Sequence, residues 1–292
     1  MEDTTLAPAM SPEEIEQTTG PESKGAHSSA TLLAFFALAF AWSWLIGLGA
    51  RYAMTESQVM GTLLAMVSGF GPSLAAMALV TRFSHGAGLR DWLSRCLNWR
   101  VGWRWYAVAF GLPPAIMLLA LALEFVLGGA IPASPAAGKI PLAIANFGLV
   151  LLVGGPLGEE FGWRGYATPA MARWLNWRLT SLLIGAIWGL WHLPLFFMAD
   201  TPQAHLPFLL FLISTMAESV MFGWLFVNTS ASLVPSLVMH TSLNAWFNII
   251  PLMPTATGHL RPLALMVGIQ TLVAMALLFR ASESKAADHN LA

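Results

Sequence analysis

Eight apolar runs, each near the ~20 residues that carry a helix across about 30 Å of hydrocarbon, leave this chain few ways to fold. They are Thr31–Ala50, Val59–Thr81, Trp103–Leu127, Ile140–Leu157, Leu179–Met198, Leu206–Val227, Leu233–Ile250 and Pro262–Phe279, the fourth being open to extension through the carboxylates that follow it. A backbone without water around it must satisfy its own hydrogen bonds, and segments of this length do so as helices. The expected fold is all-α: a polytopic membrane protein of about eight transmembrane helices over residues 31–280, with residues 1–30 and 281–292 as cytoplasmic tails. Composition agrees, with 57% hydrophobic and 10% charged residues and a mean hydropathy of +0.65, outside the range of soluble domains. Short connectors such as Gly129–Gly138 and Asn228–Ser232 leave no room for a separate soluble domain.

The distribution of basic residues sets an expected orientation. Eleven of the fourteen, among them Arg82, Arg90, Arg95, Arg100, Arg104, Arg173 and Arg178, fall on one side of the spans, and Arg51, Lys139 and Arg261 on the other. Both termini are therefore expected in the cytoplasm, with the first span uncleaved, because the acidic leading residues have the wrong sign for a signal peptide. Leu89, Trp92, Leu93, Cys96 and Leu97 keep helical spacing with charges off their stripe, which predicts an amphipathic helix in the cytoplasmic headgroup layer. A net charge of −1 without a basic block gives no reason to expect nucleic acid. A lone cysteine, Cys96, excludes an internal disulfide and a multi-cysteine metal site.

Against this apolar background the stretch Gly158-Glu159-Glu160-Phe161-Gly162-Trp163-Arg164-Gly165 is costly. Ionisable groups at membrane depth cost on the order of 2.5–3.5 kcal/mol each by insertion scales and are functional candidates by default. Glu160 and Arg164 are four residues apart and share a helix face, whereas Glu159 points about 100° away. The expected division makes Glu160–Arg164 an internal ion pair and leaves Glu159 facing a polar cavity as a general base. An interfacial ion pair without chemistry fits that stretch equally well.

Two further spans carry such pairs. Trp188 lies one turn before His192, and Gly185 with Gly189 would let another helix approach closely. His240 and Asn244 present an imidazole and a carboxamide on one face, able together to hold an oxyanion, or simply to tie helices together. Glu218, deep in the sixth run, is expected to support the site by accepting a hydrogen bond from Arg164 or a site histidine, while Glu124 reads as interfacial. Convergence of Glu159, His192, His240 and Asn244 in a shared cavity would make hydrolysis the leading reading.

The ordered set Glu159-Glu160-x-x-x-Arg164, aromatic-x-x-x-His192 and His240-x-x-x-Asn244 resembles the CPBP family, which includes type II CAAX prenyl endopeptidases and bacteriocin-processing or Abi proteins. The resemblance covers residues 145–250, with Trp188 where the family often has phenylalanine. It implies an intramembrane endopeptidase acting on a lipidated or hydrophobic membrane-associated peptide. Glu159 would activate water, His192 assist, and His240 with Asn244 stabilise the oxyanion, supported by Glu160, Arg164, Trp188 and Glu218. Glu159, His192 and His240 are also candidate ligands for Zn²⁺, although three source helices and an amide favour metal-free chemistry. The cavity is expected to open towards the cytoplasm, and compact loops suggest a bacterial plasma membrane. Two rivals are a proton-coupled transporter relaying through Glu159, Glu218 and His192, and a non-catalytic immunity or scaffold protein. The first lacks a visible inverted repeat.

Overall fold

The computed structural model describes residues 28–84 and 87–280. The expected tails, with Lys24 and Lys285, lie outside them. The helices are α1 Ser29–Glu56, α2 Gln58–Ser68, α3 Gly71–Ser84, α4 Ala87–Cys96, α5 Trp103–Val126, α6 Ile140–Val153, α7 Pro156–Gly162, α8 Thr168–Ala172, α9 Trp177–Trp191, α10 Phe208–Asn228, α11 Val234–Trp246, α12 Pro254–Thr257 and α13 Arg261–Arg280. Short polar side chains start several of them: Ser28 accepts from Thr31 N–H, Ser57 from Met60 and Asn176 from Leu179, each satisfying an orphan donor of a first turn.

Among the described residues six helical segments are long and apolar enough to span a membrane, or seven if the α2–α3 pair, bent by 52°, counts as one. The expected second span is thus broken, at Gly69-Phe70. The seventh run becomes α11, only 13 residues long, which at 1.5 Å per residue falls well short of the hydrocarbon thickness. The fourth run does not stop at Leu157. It continues through α7, a π-helical turn at Trp163–Ala167 and α8, giving a 33-residue segment from Ile140 to Ala172. The carboxylates consequently sit in mid-span rather than at a cytoplasmic end.

Glycines allow the close helix approaches that position the site. A Cβ on Gly185 would lie 2.6 Å from Met216 Cα, and one on Gly189 would lie 2.7 Å from Thr215 Oγ1, so α9 and α10 pack almost backbone to backbone. In the same way Gly158 of α7 lies against the Gly69 carbonyl at the α2–α3 break, where Ser73 Oγ donates to Leu157 O at 2.8 Å. Helix α4 is not merely laid on a surface. Trp92 and Cys96 are buried, Trp92 Nε1 donates to Gly165 O at 2.9 Å, and Leu233 N–H bonds Cys96 O. At the opposite end of the bundle Arg261 grips the fully buried Glu124 through Nε (2.7 Å) and Nη2 (2.6 Å). Glu124 is therefore a buried ion-pair partner at an end of the bundle, beside the half-exposed Arg261.

Candidate active site

Alternating helix directions place Arg51, the 127–139 connector, the 198–207 connector and residues 247–260 at one end of the bundle, and the arginine-rich segments around α4 and α9's start at the other. A cavity of about 760 Å³ opens at the first end, lined near its mouth by Arg51, Pro135, Asp200, Gln203 and Thr255 and deeper by Glu159, Trp188, His192, Glu218, His240 and Asn244. The expected opening is towards the cytoplasm, on the arginine-rich side. If the arginine-rich end faces the cytoplasm, the mouth faces away from it. The difference comes from ending the fourth span at Leu157, which drew the carboxylates towards the cytoplasmic surface.

Glu159 and Glu160 divide as their helical spacing requires. Glu160 Oε1 accepts from Arg164 Nη1 at 3.0 Å and from His240 Nδ1 at 2.8 Å, with all three side chains buried. The Arg164 guanidinium lies over Trp188 and Phe222, 4.9 and 4.6 Å from their ring centroids, a favourable setting for a cation out of water. The π-helical turn carries Arg164 and widens the helix where this packing occurs, as such turns often do at functional sites. Breaking a buried pair of this kind strands a charge and costs about 3–5 kcal/mol. Glu160→Gln and Arg164→Ala are therefore expected to lower thermal stability and activity together, read by thermal unfolding in detergent. An unchanged melting point would remove the internal ion pair from the account.

Glu159 is not left bare, since the Trp188 indole N–H donates to its Oε2. Trp188 is the hub of the site, with its ring 5.5 Å from that of His240 and 5.7 Å from that of His192. The other carboxylate oxygen faces Gly155, which sequence reasoning missed. Gly155 has φ +113° and opens α7 immediately after the Gly154 break. A Cβ on it would fall 2.7 Å from Glu159 Oε1, 3.5 Å from His240 Nε2 and 3.5 Å from Asn244 Nδ2. One small volume beside a bare Cα is therefore faced by a carboxylate, an imidazole and an amide from two helices. Asn244 is steadied by donating to Gly154 O at 3.1 Å, leaving its second amide hydrogen for another acceptor. The signal was present in Gly154-Gly155-Pro156, a punctuated break directly before the carboxylates.

His192 stands differently. It caps the end of α9, where the helix gives way to a 3₁₀ turn at Leu193–Phe197, and its Nδ1 bonds Trp188 O at 2.9 Å. Among the described residues no hydrogen bond joins it to Glu159, His240 or Asn244; it reaches the shared cavity through Trp188. Glu218 departs from expectation as well. Its Oε1 accepts from Ser214 at 2.8 Å and Gln270 at 3.3 Å, not from Arg164 or a histidine.

The two Nδ1 contacts turn both imidazole Nε2 atoms away from their anchors, an arrangement that also suits metal ligands. Yet among the described residues no group of three or more His, Cys, Asp or Glu side chains converges closely enough to hold a metal ion. Glu159, His192 and His240 are not gathered into a three-ligand set among the described residues, and no step below is routed through a metal.

With this geometry in hand, comparison is informative. A family model for type II CAAX prenyl endopeptidases, described as Rce1-like, matches residues 141–246. The CAAX prenyl protease 2 of Methanococcus maripaludis is 25% identical over 210 residues, covering 69% of this chain and 77% of the relative. Over that segment the chain is similar to the CAAX protease family. The matched segment runs from the start of α6 to the end of α11 and so takes in every residue of the cradle at Gly155. A multi-pass membrane protease of the CAAX type is the coarse reading these matches support.

Proposed function

We propose that the protein hydrolyses a peptide bond within a lipid-modified or hydrophobic membrane-associated peptide, using water activated by Glu159. The observation carrying this reading is the volume at Gly155 faced at once by Glu159 Oε1, His240 Nε2 and Asn244 Nδ2. Glu159 takes a proton from water as its oxygen attacks the scissile carbonyl. The developing oxyanion accepts from Asn244 Nδ2 and from His240 Nε2. Because His240 Nδ1 already donates to a carboxylate that only accepts, Nε2 becomes a donor by carrying a second proton, with Glu160 as the counter-charge. Glu159 then returns its proton to the leaving amine as the carbon–nitrogen bond breaks. His192 assists from the Trp188 side, and Trp188 holds Glu159 in its rotamer.

The family and the relative's printed name point to prenylated peptides ending in a CAAX sequence as the substrates to try first. The purified protein in liposomes is expected to release the C-terminal fragment of a farnesylated CAAX peptide, detected by mass spectrometry, and to do so equally after treatment with a zinc chelator. Loss on chelation with recovery on adding Zn²⁺ would overturn the metal-free mechanism. Intact peptide under every condition would overturn the activity.

The proposed orientation has its own check. Cys96 is buried in α4 and desolvation pushes its thiol up to about 12, so the native cysteine should resist maleimides near neutral pH. Gln203→Cys at the cavity mouth then supplies a single reactive thiol. With the arginine-rich end in the cytoplasm, a membrane-impermeant maleimide should label it from outside intact cells. Labelling only after lysis would place the mouth, and the site, towards the cytoplasm.

A further inference from the structure

Glu218 is the charged group of the cavity that the proposed chemistry does not use. It is nine-tenths buried on α10 and lines the cavity. Its Oε1 is held from two sides by Ser214 and by Gln270 of α13. Oε2 accepts no hydrogen bond from any described residue, and among the described residues Arg164 and His240 act on the carboxylate only through charge at a distance, with no cation in direct contact. Two hydrogen-bonded props fix one oxygen and aim the other. Maintaining a carboxylate in an apolar wall is costly unless something compensates it.

Charge balance says what would compensate it. The charged residues lining the cavity are Arg51 and Asp200, which pair with each other at 3.2 Å, the two glutamates 159 and 218, and His240, which carries a second proton in the proposed mechanism. Arg164, behind the wall, is committed to Glu160. With Arg164 set against Glu160, His240 offsets one of the two glutamates, so the lining keeps one net negative charge when both are ionised, and in a medium of low effective dielectric a cation entering it is attracted far more strongly than in water. Glu218 also stands at a definite reach. It lies one turn of α10, ~5.4 Å, from Phe222, whose ring stacks on that of His240 at 5.6 Å. An extended peptide advances ~3.3 Å per residue.

Resting on the protease reading, we infer that Glu218, aimed by Ser214 and Gln270, is a specificity residue that binds a lysine or arginine side chain of the substrate about two residues from the scissile bond. The peptide is recognised through an ammonium or guanidinium group meeting Glu218 Oε2, in addition to whatever apolar contacts the rest of the cavity makes.

The test uses three membrane-anchored peptides that differ only at the position two residues from the cleaved bond, carrying lysine, norleucine or glutamate. Binding is measured in liposomes by fluorescence anisotropy on the Glu159→Ala protein, which needs no cleavage, and kcat/KM on the active one. The lysine peptide is expected to bind about tenfold tighter than the norleucine peptide, in line with desolvated charge pairs, and the glutamate peptide more weakly than either. Glu218→Gln should bring the lysine-to-norleucine ratio to about one, and Glu218→Asp should restore part of it. Equal binding of lysine and norleucine peptides, or a ratio that survives Glu218→Gln, overturns the inference. Should Glu218→Gln fail to fold, the three-peptide series on the Glu159→Ala protein decides alone. A lysine preference in binding without any cleavage would overturn only the protease reading, and cleavage without the preference only this one.

Discussion

Glu159→Gln is expected to reduce peptide cleavage by at least 10²-fold and up to about 10⁴-fold, the range a positioned general base contributes, while leaving the protein folded. Glutamine keeps the shape of the side chain, and its amide oxygen can still accept from the Trp188 indole, so the packing around α7 and α9 should survive. What it loses is the ability to take a proton at the oxygen facing Gly155. Alanine at the same position should cost at least as much activity and also free the Trp188 ring. The decisive measurement is the initial rate of fragment release from a lipidated peptide, paired with thermal unfolding and gel filtration in detergent. A glutamine variant that folds normally and retains more than a tenth of the unmutated rate would show that water is activated elsewhere. The carboxylate at Glu160 is no substitute, because it is fully buried, does not line the cavity, and its Oε1 is held by Arg164 and His240.

Helical spacing carried the reading a long way where partners lie on one turn. Glu160 with Arg164, Trp188 with His192, and the shared face of His240 and Asn244 all follow from four-residue offsets, and the structure keeps each pair in register despite the π-helical turn. Apolar length fixed the helical class but not the number of spans. Length alone cannot show that Gly69-Phe70 breaks a run or that α11 ends after 13 residues. The partners of Glu218 were illegible for a different reason. Gln270 lies 52 residues further on, and an isolated glutamine in an apolar helix carries no local mark of which face meets α10. The depth of the carboxylates was illegible for a third reason: a charge pair looks like a span end until the helix is seen to continue past it.

Gly155→Ala tests the site where no side chain was thought to matter. The residue has φ +113° and ψ −57°, a conformation that an L-residue adopts only with strain, and its added methyl would sit 2.7 Å from Glu159 Oε1 and 3.5 Å from both His240 Nε2 and Asn244 Nδ2. The first is a hydrogen-bonding distance and the other two are contact distances, so the methyl fills space beside all three groups, where the reacting atoms would have to sit. Loss of even one oxyanion donor costs about 10²–10³-fold in rate, and blocking the shared volume should cost no less. The expected result is at least a 10²-fold fall in kcat/KM with the protein still inserted and monodisperse. Strain alone would also weaken folding, so a control is needed that strains the backbone without filling the cradle. Gly138→Ala provides it, since Gly138 also has positive φ (+72°) but an added Cβ there meets nothing within 4 Å. If the two alanine variants lose stability alike and only Gly155→Ala loses cleavage, the methyl acts by exclusion. Equal retention of activity in both would mean that the peptide bond is cut somewhere other than the space between Glu159, His240 and Asn244.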